Sequence, residues 1–319
     1  MRILFAGTPD IALPSLRALY EAGLDIVAVL TAPDKPAGRR RTLQAPPVKV
    51  QAAEWGIPVL QPSRLDGTAR EEVTRYQPDL LVVVAYGKIF GPRFLDLFPR
   101  GGVNVHPSLL PRYRGPSPIP AAILAGDSVT GVTIQRITLE MDAGEILAQR
   151  EVPLAPDATV LQLETRLGEL GAKLLLETVQ SLAAGTVVAR EQNEQDASWC
   201  GLIRKDDGSL SWQESALQIE RMVRAYTPWP GVRCSWNGVP LVFTEAVVVS
   251  SGTGETRTDR PQETPGTVLG VDNRAGILVQ TLNGVLAVRR LKLQARKEMD
   301  FRAFLNGNSS IIGSVLEQA

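Results

Sequence analysis

At 319 residues the chain is longer than one hydrophobic core usually serves, which predicts two domains. Its 44% hydrophobic and 21% charged residues are those of a soluble globular protein, and 34 basic against 34 acidic side chains exclude any global attraction to nucleic acid, so such binding has to come from local patches. Cys200 and Cys234 match no metal-ligand or redox spacing, which predicts reduced thiols in a cytoplasmic protein; no signal-peptide pattern and no run of about 18 apolar residues argues for export or a membrane.

Residues 3–6 read as a buried strand closed by Gly7-Thr8-Pro9-Asp10, after which Ala12, Leu16, Leu19 and Tyr20 recur at helical spacing. A second apolar strand at 26–30 completes a βαβ opening. The Gly7 turn lacks the glycine spacing that lets backbone approach a pyrophosphate, so it does not predict a dinucleotide site. Residues 34–43 predict a flexible loop, in which Arg39, Arg40 and Arg41 form a basic run suited to meeting phosphates; a solvated basic turn is the plain alternative. A helix over 48–55, a short strand at Val59–Leu60, a helix over 69–76 and a central strand over 80–85 follow, as in a mostly parallel sheet with helices on both faces.

The next strand, Gly102–His106, puts Asn104 and His106 on one side at its carboxyl end, where open α/β sheets bind ligands. His106 is the chain's one histidine, and a turn at Met141-Asp142-Ala143-Gly144 brings a carboxylate at short range in sequence. These types suit acyl transfer to an amine: N–H groups of Asn104 and His106 stabilise an oxyanion, while Asp142 orients the imidazole or takes the amine's proton through water. The alternatives are a structural histidine and an acyl-enzyme nucleophile at Ser108. A helix over 119–125, strands over 131–137 and 145–152, and a long amphipathic helix over Val160–Ala184 come next, and the polar stretch 190–198 reads as the start of a linker.

Beyond about residue 205 a helix over 215–225 leads through Thr227-Pro228-Trp229-Pro230-Gly231 into short alternating segments, Val232–Trp236, 241–249, 267–269, 277–281 and Val285–Leu293, as in a small barrel. Residues 250–265 read as a mobile surface loop, and Arg289, Arg290, Lys292, Arg296, Lys297 and Arg302 as a second basic cluster. The expected division is a domain over 1–189, a linker over 190–205 and a second domain over 206–319.

Asn104-Val105-His106-Pro107-Ser108-Leu109-Leu110-Pro111, followed by Asp142-Ala143-Gly144, resembles the signature of the 10-formyltetrahydrofolate-dependent formyltransferases. Phe5-Ala6-Gly7-Thr8-Pro9, Pro33-Asp34-Lys35-Pro36-Ala37-Gly38-Arg39, Val83-Val84-Ala85-Tyr86-Gly87-Lys88-Ile89, Pro111-Arg112-Tyr113-Arg114-Gly115 and Ala225-Tyr226-Thr227-Pro228-Trp229-Pro230 are similar to segments of those members whose acceptor is methionyl initiator tRNA. The resemblance implies an α/β fold, a Rossmann-like formyltransferase domain followed by an OB-like β-barrel. It implies Asn104, His106 and Asp142 as catalytic residues, and 10-formyltetrahydrofolate as co-substrate with no metal. Folate would be lined by Ser108, Leu109, Leu110 and Pro111, the pterin received by the backbone of Tyr86, Gly87, Lys88 and Ile89, and tRNA met by Arg39, Arg40 and Arg41. A monomer suffices for this reading. Trp199, where the family more often has tyrosine, and Asp206-Asp207 depart from its pattern. A formyltransferase for a small-molecule amine and a non-enzymatic RNA-binding protein are the competing readings; the trio argues against the second, the basic loop and second domain against the first.

Overall fold

The structure is a computed structural model, which describes residues 1–37, 42–249 and 263–318. The chain forms two compact units, one of residues 1–119, 128–154 and 161–201, the other of residues 120–127, 155–160 and 202–319.

The first unit is built on β1 (Arg2–Gly7), α1 (Leu13–Glu21), β2 (Asp25–Leu30), a short hairpin of β3 (Lys35–Ala37) and β4 (Thr42–Gln44), α2 (Pro47–Glu54), β5 (Val59–Leu60), α3 (Gly67–Thr74), β6 (Leu80–Val84), α4 (Pro92–Leu95) and β7 (Gly102–His106). After α5 (Pro118–Ala125), which runs into the second unit, come β8 (Val129–Arg136), β9 (Ile146–Pro153) and α6 (Val160–Ala184). The sheet order is β5-β2-β1-β6-β7-β8-β9, parallel from β5 to β7 and antiparallel from β7 to β9. All residues of β6 are buried, as expected where helices cover both faces. The chain leaves β1 for β2 on one side and returns to β6 on the other, so a topological switch point lies between the carboxyl ends of β1 and β6.

Residues 190–201, expected to open a linker, belong to the first unit: Arg190 bridges to Ile146, and Trp199 to Arg114. A polar composition suggested a linker, but two of its side chains bond into the unit: Arg190 donates to Gln149 Oε1 at 3.2 Å, and Gln192 to the carbonyls of Asp142 and Gly144.

In the second unit α7 (Ala216–Tyr226), capped by Ser215 Oγ accepting from Gln218 N–H at 3.1 Å, precedes β10 (Val232–Trp236), β11 (Val239–Val248), β12 (Val268–Asp272), β13 (Gly276–Gln280), β14 (Val285–Leu293) and β15 (Met299–Asp300). After α8 (Phe301–Asn308), β16 (Glu317–Gln318) closes the order β12-β13-β14-β11-β10-β16 in an antiparallel sheet that curls as a half-barrel. The strands alternate as read: Val232, Cys234 and Trp236 are buried, Arg233 and Ser235 half-buried. Helix α8 was not anticipated, because the residues up to Arg302 stand out in sequence as a basic cluster. Its signal was Phe301 and Phe304, three apart and both buried, behind an Asp300 side chain that caps Ala303 N–H at 2.9 Å. Cys200 and Cys234 are free thiols. Most of the expected loop at 250–265 lies outside the described residues.

Candidate active site

Strand β7 is apolar except where it must offer chemistry. Val103 and Val105 are buried on one face, and Asn104 and His106 project from the other at the strand's carboxyl end. The antiparallel partner β8 sets Gln135 opposite Asn104 and Thr133 opposite His106. Directly opposed residues share a face, so four polar side chains form one patch on an otherwise hydrophobic sheet.

His106 is buried, and its Nε2 lies 2.9 Å from the Tyr113 carbonyl oxygen. A carbonyl only accepts, so Nε2 carries a hydrogen. Nδ1 faces Asp142 Oδ1 at 3.6 Å, and Asn104 Nδ2 reaches the same oxygen at 3.4 Å. The structure thus brings together Asn104, His106 and Asp142. Asp142 sits in the left-handed region at φ 54°, which aspartate tolerates better than most residues.

Two further donors fix the carboxylate more tightly. Gln135 Nε2 donates to Oδ1 at 2.7 Å and Gly115 N–H to Oδ2 at 2.8 Å. From residues 190–201, Gln192 Nε2 donates to the carbonyls of Asp142 at 2.8 Å and Gly144 at 2.7 Å. Its Oε1 in turn accepts from Arg114 Nε at 3.0 Å and Nη2 at 2.9 Å. Arg114 is completely buried; its guanidinium also pairs with Glu194 at 2.6 Å and lies over the Trp199 ring at 5.6 Å. The hydrogen bond from Arg114 holds the Glu194 carboxyl below the usual range, and the same bond holds the guanidinium above its own.

The residues expected to line folate divide. Ser108 is buried, donates to the Arg112 carbonyl at 2.6 Å and accepts on its own carbonyl from Thr133 Oγ1 at 2.7 Å, which leaves its hydroxyl committed to the turn. Leu110 is buried, with its N–H and carbonyl held by Thr133 and Gln149; Leu109 and Pro111 are half-buried. Tyr86 packs in the hydrophobic cluster with Phe90, Phe94 and Phe98, and burial pushes its phenol pKa up. Lys88 points its ammonium at the carbonyls of Pro62 and Ser63. Gly87 and Ile89 are exposed. What the 86–89 segment offers a ligand is therefore backbone and the Ile89 side chain, at the switch point: Thr8, just past β1, donates to the Tyr86 carbonyl at 3.3 Å.

Arg39, Arg40 and Arg41 lie outside the described residues, between β3 and β4. In the second basic cluster, Arg289 pairs with Glu245 and Arg290 with Glu298, which reduces the net positive charge of that surface. Among the described residues no group of three or more His, Cys, Asp or Glu side chains is arranged to hold a metal ion, and no helix is long and apolar enough to cross a membrane.

Sequence reasoning missed Arg114, Gly115, Gln135 and Gln192. Gln135 had a signal, a lone amide inside the buried run of β8. Gln192 had none, since its neighbours are polar for other reasons.

Two family models match the chain: Formyl transferase over residues 1–179 and Formyl transferase, C-terminal domain, over residues 202–309. The methionyl-tRNA formyltransferase of Treponema denticola is 41% identical, over 98% of this chain and 98% of its own. That of Chloroflexus aurantiacus is 44% identical, over 96% and 97%. Among solved structures, WlaRD, a sugar 3N-formyl transferase, superposes with a TM-score of 0.64 at 16% identity, covering 93% of this chain and 99% of that one. HypX from Aquifex aeolicus in complex with tetrahydrofolic acid does so with a TM-score of 0.63 at 19% identity, covering 96% of this chain, which spans about half of HypX (47%). At those identities the likeness is one of fold.

Proposed function

The chain belongs to the formyl transferase family, alongside methionyl-tRNA formyltransferases, and on that premise we propose that it transfers the formyl group of 10-formyltetrahydrofolate to the α-amino group of methionyl initiator tRNA. The products are formylmethionyl-tRNA, used to initiate translation, and tetrahydrofolate. One observation carries the assignment of residues. The two longest polar contacts of the Asp142 carboxylate, from Asn104 Nδ2 at 3.4 Å and His106 Nδ1 at 3.6 Å, converge on a single one of its oxygens. Both exceed the length of a good hydrogen bond, so these groups have donor capacity left for a substrate, whereas Gln135 and Gly115 are already engaged at 2.7 and 2.8 Å.

Attack by a neutral amine on the formyl carbon puts negative charge on the formyl oxygen and positive charge on nitrogen. Asn104 donates to the oxygen, and His106 does so from Nδ1 when the ring carries both protons, because Nε2–H is spent on Tyr113. Asp142 takes the amine's proton, directly or through one water. As the tetrahedral intermediate collapses, the bond from the formyl carbon to folate N10 breaks and that proton passes to N10, releasing tetrahydrofolate. No serine or cysteine nucleophile enters: the Ser108 hydroxyl is committed to Arg112.

The 86–89 backbone at the switch point suits a flat heterocycle that hydrogen-bonds along its edge, with the exposed Ile89 as an apolar cover. The Arg39 to Arg41 run supplies phosphate contacts for tRNA. The deciding experiment measures labelled formyl transfer from 10-formyltetrahydrofolate to charged initiator tRNA, with uncharged tRNA, free methionine and an amino sugar as controls. Equal or faster formylation of a free amine overturns the acceptor assignment.

A further inference from the structure

The two family models leave residues 180–201 between them, yet Gln192 from that stretch reaches the Asp142 turn. We propose that Gln192 is a positioning residue for the formyl-transfer site, setting the backbone that carries Asp142, and that Arg114 fixes the direction of its amide. The proposal rests on the function assigned above.

An amide has two N–H donors and one carbonyl oxygen with two lone pairs. All are used here. The two donors meet the Asp142 and Gly144 carbonyls, which lie on both sides of Ala143, and the oxygen takes the fork of Arg114. An arginine only donates, so the amide cannot flip without setting N–H against N–H and oxygen against two carbonyls. The turn needs such a brace, because Asp142 is at positive φ and an unbraced non-glycine residue relaxes away from that region. Gly144 is held as closely: a Cβ there would lie 1.9 Å from the Arg136 carbonyl oxygen. Gln135 and Gly115 hold the carboxylate, while Gln192 holds the main chain, so the distances from Asp142 to His106 and Asn104 depend on both.

Gln192→Glu separates this role from mere packing. The carboxylate keeps its partner in Arg114 and nearly the same volume, but it opposes the carbonyls of Asp142 and Gly144 with oxygen instead of N–H. The full-length enzyme carrying Gln192→Glu or Gln192→Ala, with exposed Gln195→Ala as control, is assayed for kcat and KM and examined by 15N NMR of its single imidazole. We expect kcat to fall about ten- to a hundredfold in Gln192→Glu, the range for misplaced catalytic groups. KM for folate and tRNA stays within about twofold. The His106 ring resonances move, and the melting temperature and the control stay at wild-type values. Wild-type kcat in Gln192→Glu overturns the proposal, as does a loss of kcat with unmoved imidazole resonances. If Gln192→Ala fails to fold, Gln192→Glu alone decides. Because the imidazole spectrum needs no substrate, it reports on the brace even if the acceptor proves to be another amine.

Discussion

At the scale of single residues, Asn104, His106 and Asp142 were legible because each interrupts a pattern: polar side chains in an apolar strand, and a carboxylate beside a turn glycine. His106→Ala and Asp142→Asn are expected to lower turnover by at least about a hundredfold, or about 2.7 kcal/mol of transition-state stabilisation, with folding retained. Steady-state kinetics beside circular dichroism check this, and near wild-type turnover in both variants would remove the trio from the mechanism. Gly115 was not legible, since its constraint is the approach of another segment. At φ 114° it occupies backbone space suited to glycine, its N–H holds Asp142, and an added Cβ would lie 2.2 Å from the Cys200 carbonyl oxygen. Gly115→Ala is therefore expected to lose both activity and thermal stability, unlike the trio variants; a stable, fully active Gly115→Ala would show that the loop yields at little cost.

Among the elements, the β3–β4 hairpin joins the sheet to the proposed tRNA contacts. Sequence suggested a flexible loop, because Pro and Gly obscured two three-residue strands that pair Lys35 with Gln44 and Ala37 with Thr42. Its base is fastened at Asp34, which accepts from Lys49 on α2 and from Gln61 just past β5, each at 2.8 Å. The hydrogen bond from Gln61, then that from Lys49, holds the Asp34 carboxyl below the usual carboxylate range. A lowered pKa means that the folded state binds its proton less readily than the unfolded chain. The stabilisation is complete above the ordinary aspartate range and disappears as pH falls through the lowered value. Asp34→Asn should accordingly melt below wild type at neutral pH, the gap closing as pH falls through and below the ordinary aspartate range; a gap independent of pH would assign the effect to something other than the charge. Arg39→Ala, between β3 and β4 in sequence, is expected to weaken tRNA binding and to reduce the slope of log K against log salt by about one, with folate affinity unchanged. An unchanged salt titration would remove it from the interface.

For the whole molecule, composition showed that there are two units but could not show how the chain is shared between them. A change from long periodic segments to short alternating ones marks the barrel, and the polar stretch near 190 reads as a seam. The chain in fact crosses after residues 119, 127, 154, 160 and 201, because contacts formed far apart in sequence, invisible to local periodicity, claim residues 120–127 and 155–160 for the second unit. Two arginines of α7 make those contacts: Arg221 donates to the Ala125 carbonyl at 3.3 Å, and Arg224, itself paired with Glu220, to the Ala158 carbonyl at 2.9 Å. A fragment of residues 1–201 keeps every residue of the candidate site but strips these segments of their partners, among them Ile123, which is 1% exposed in the full chain. Uncovering one such side chain costs about 1.5–3 kcal/mol, a large share of a domain's ~5–15 kcal/mol. The fragment is thus expected to be soluble only at low concentration and to melt well below the full chain, despite matching the catalytic family model over residues 1–179. Differential scanning calorimetry of the two proteins decides: a fragment melting at the full-chain temperature would mean that the interleaved segments stabilise the second unit alone.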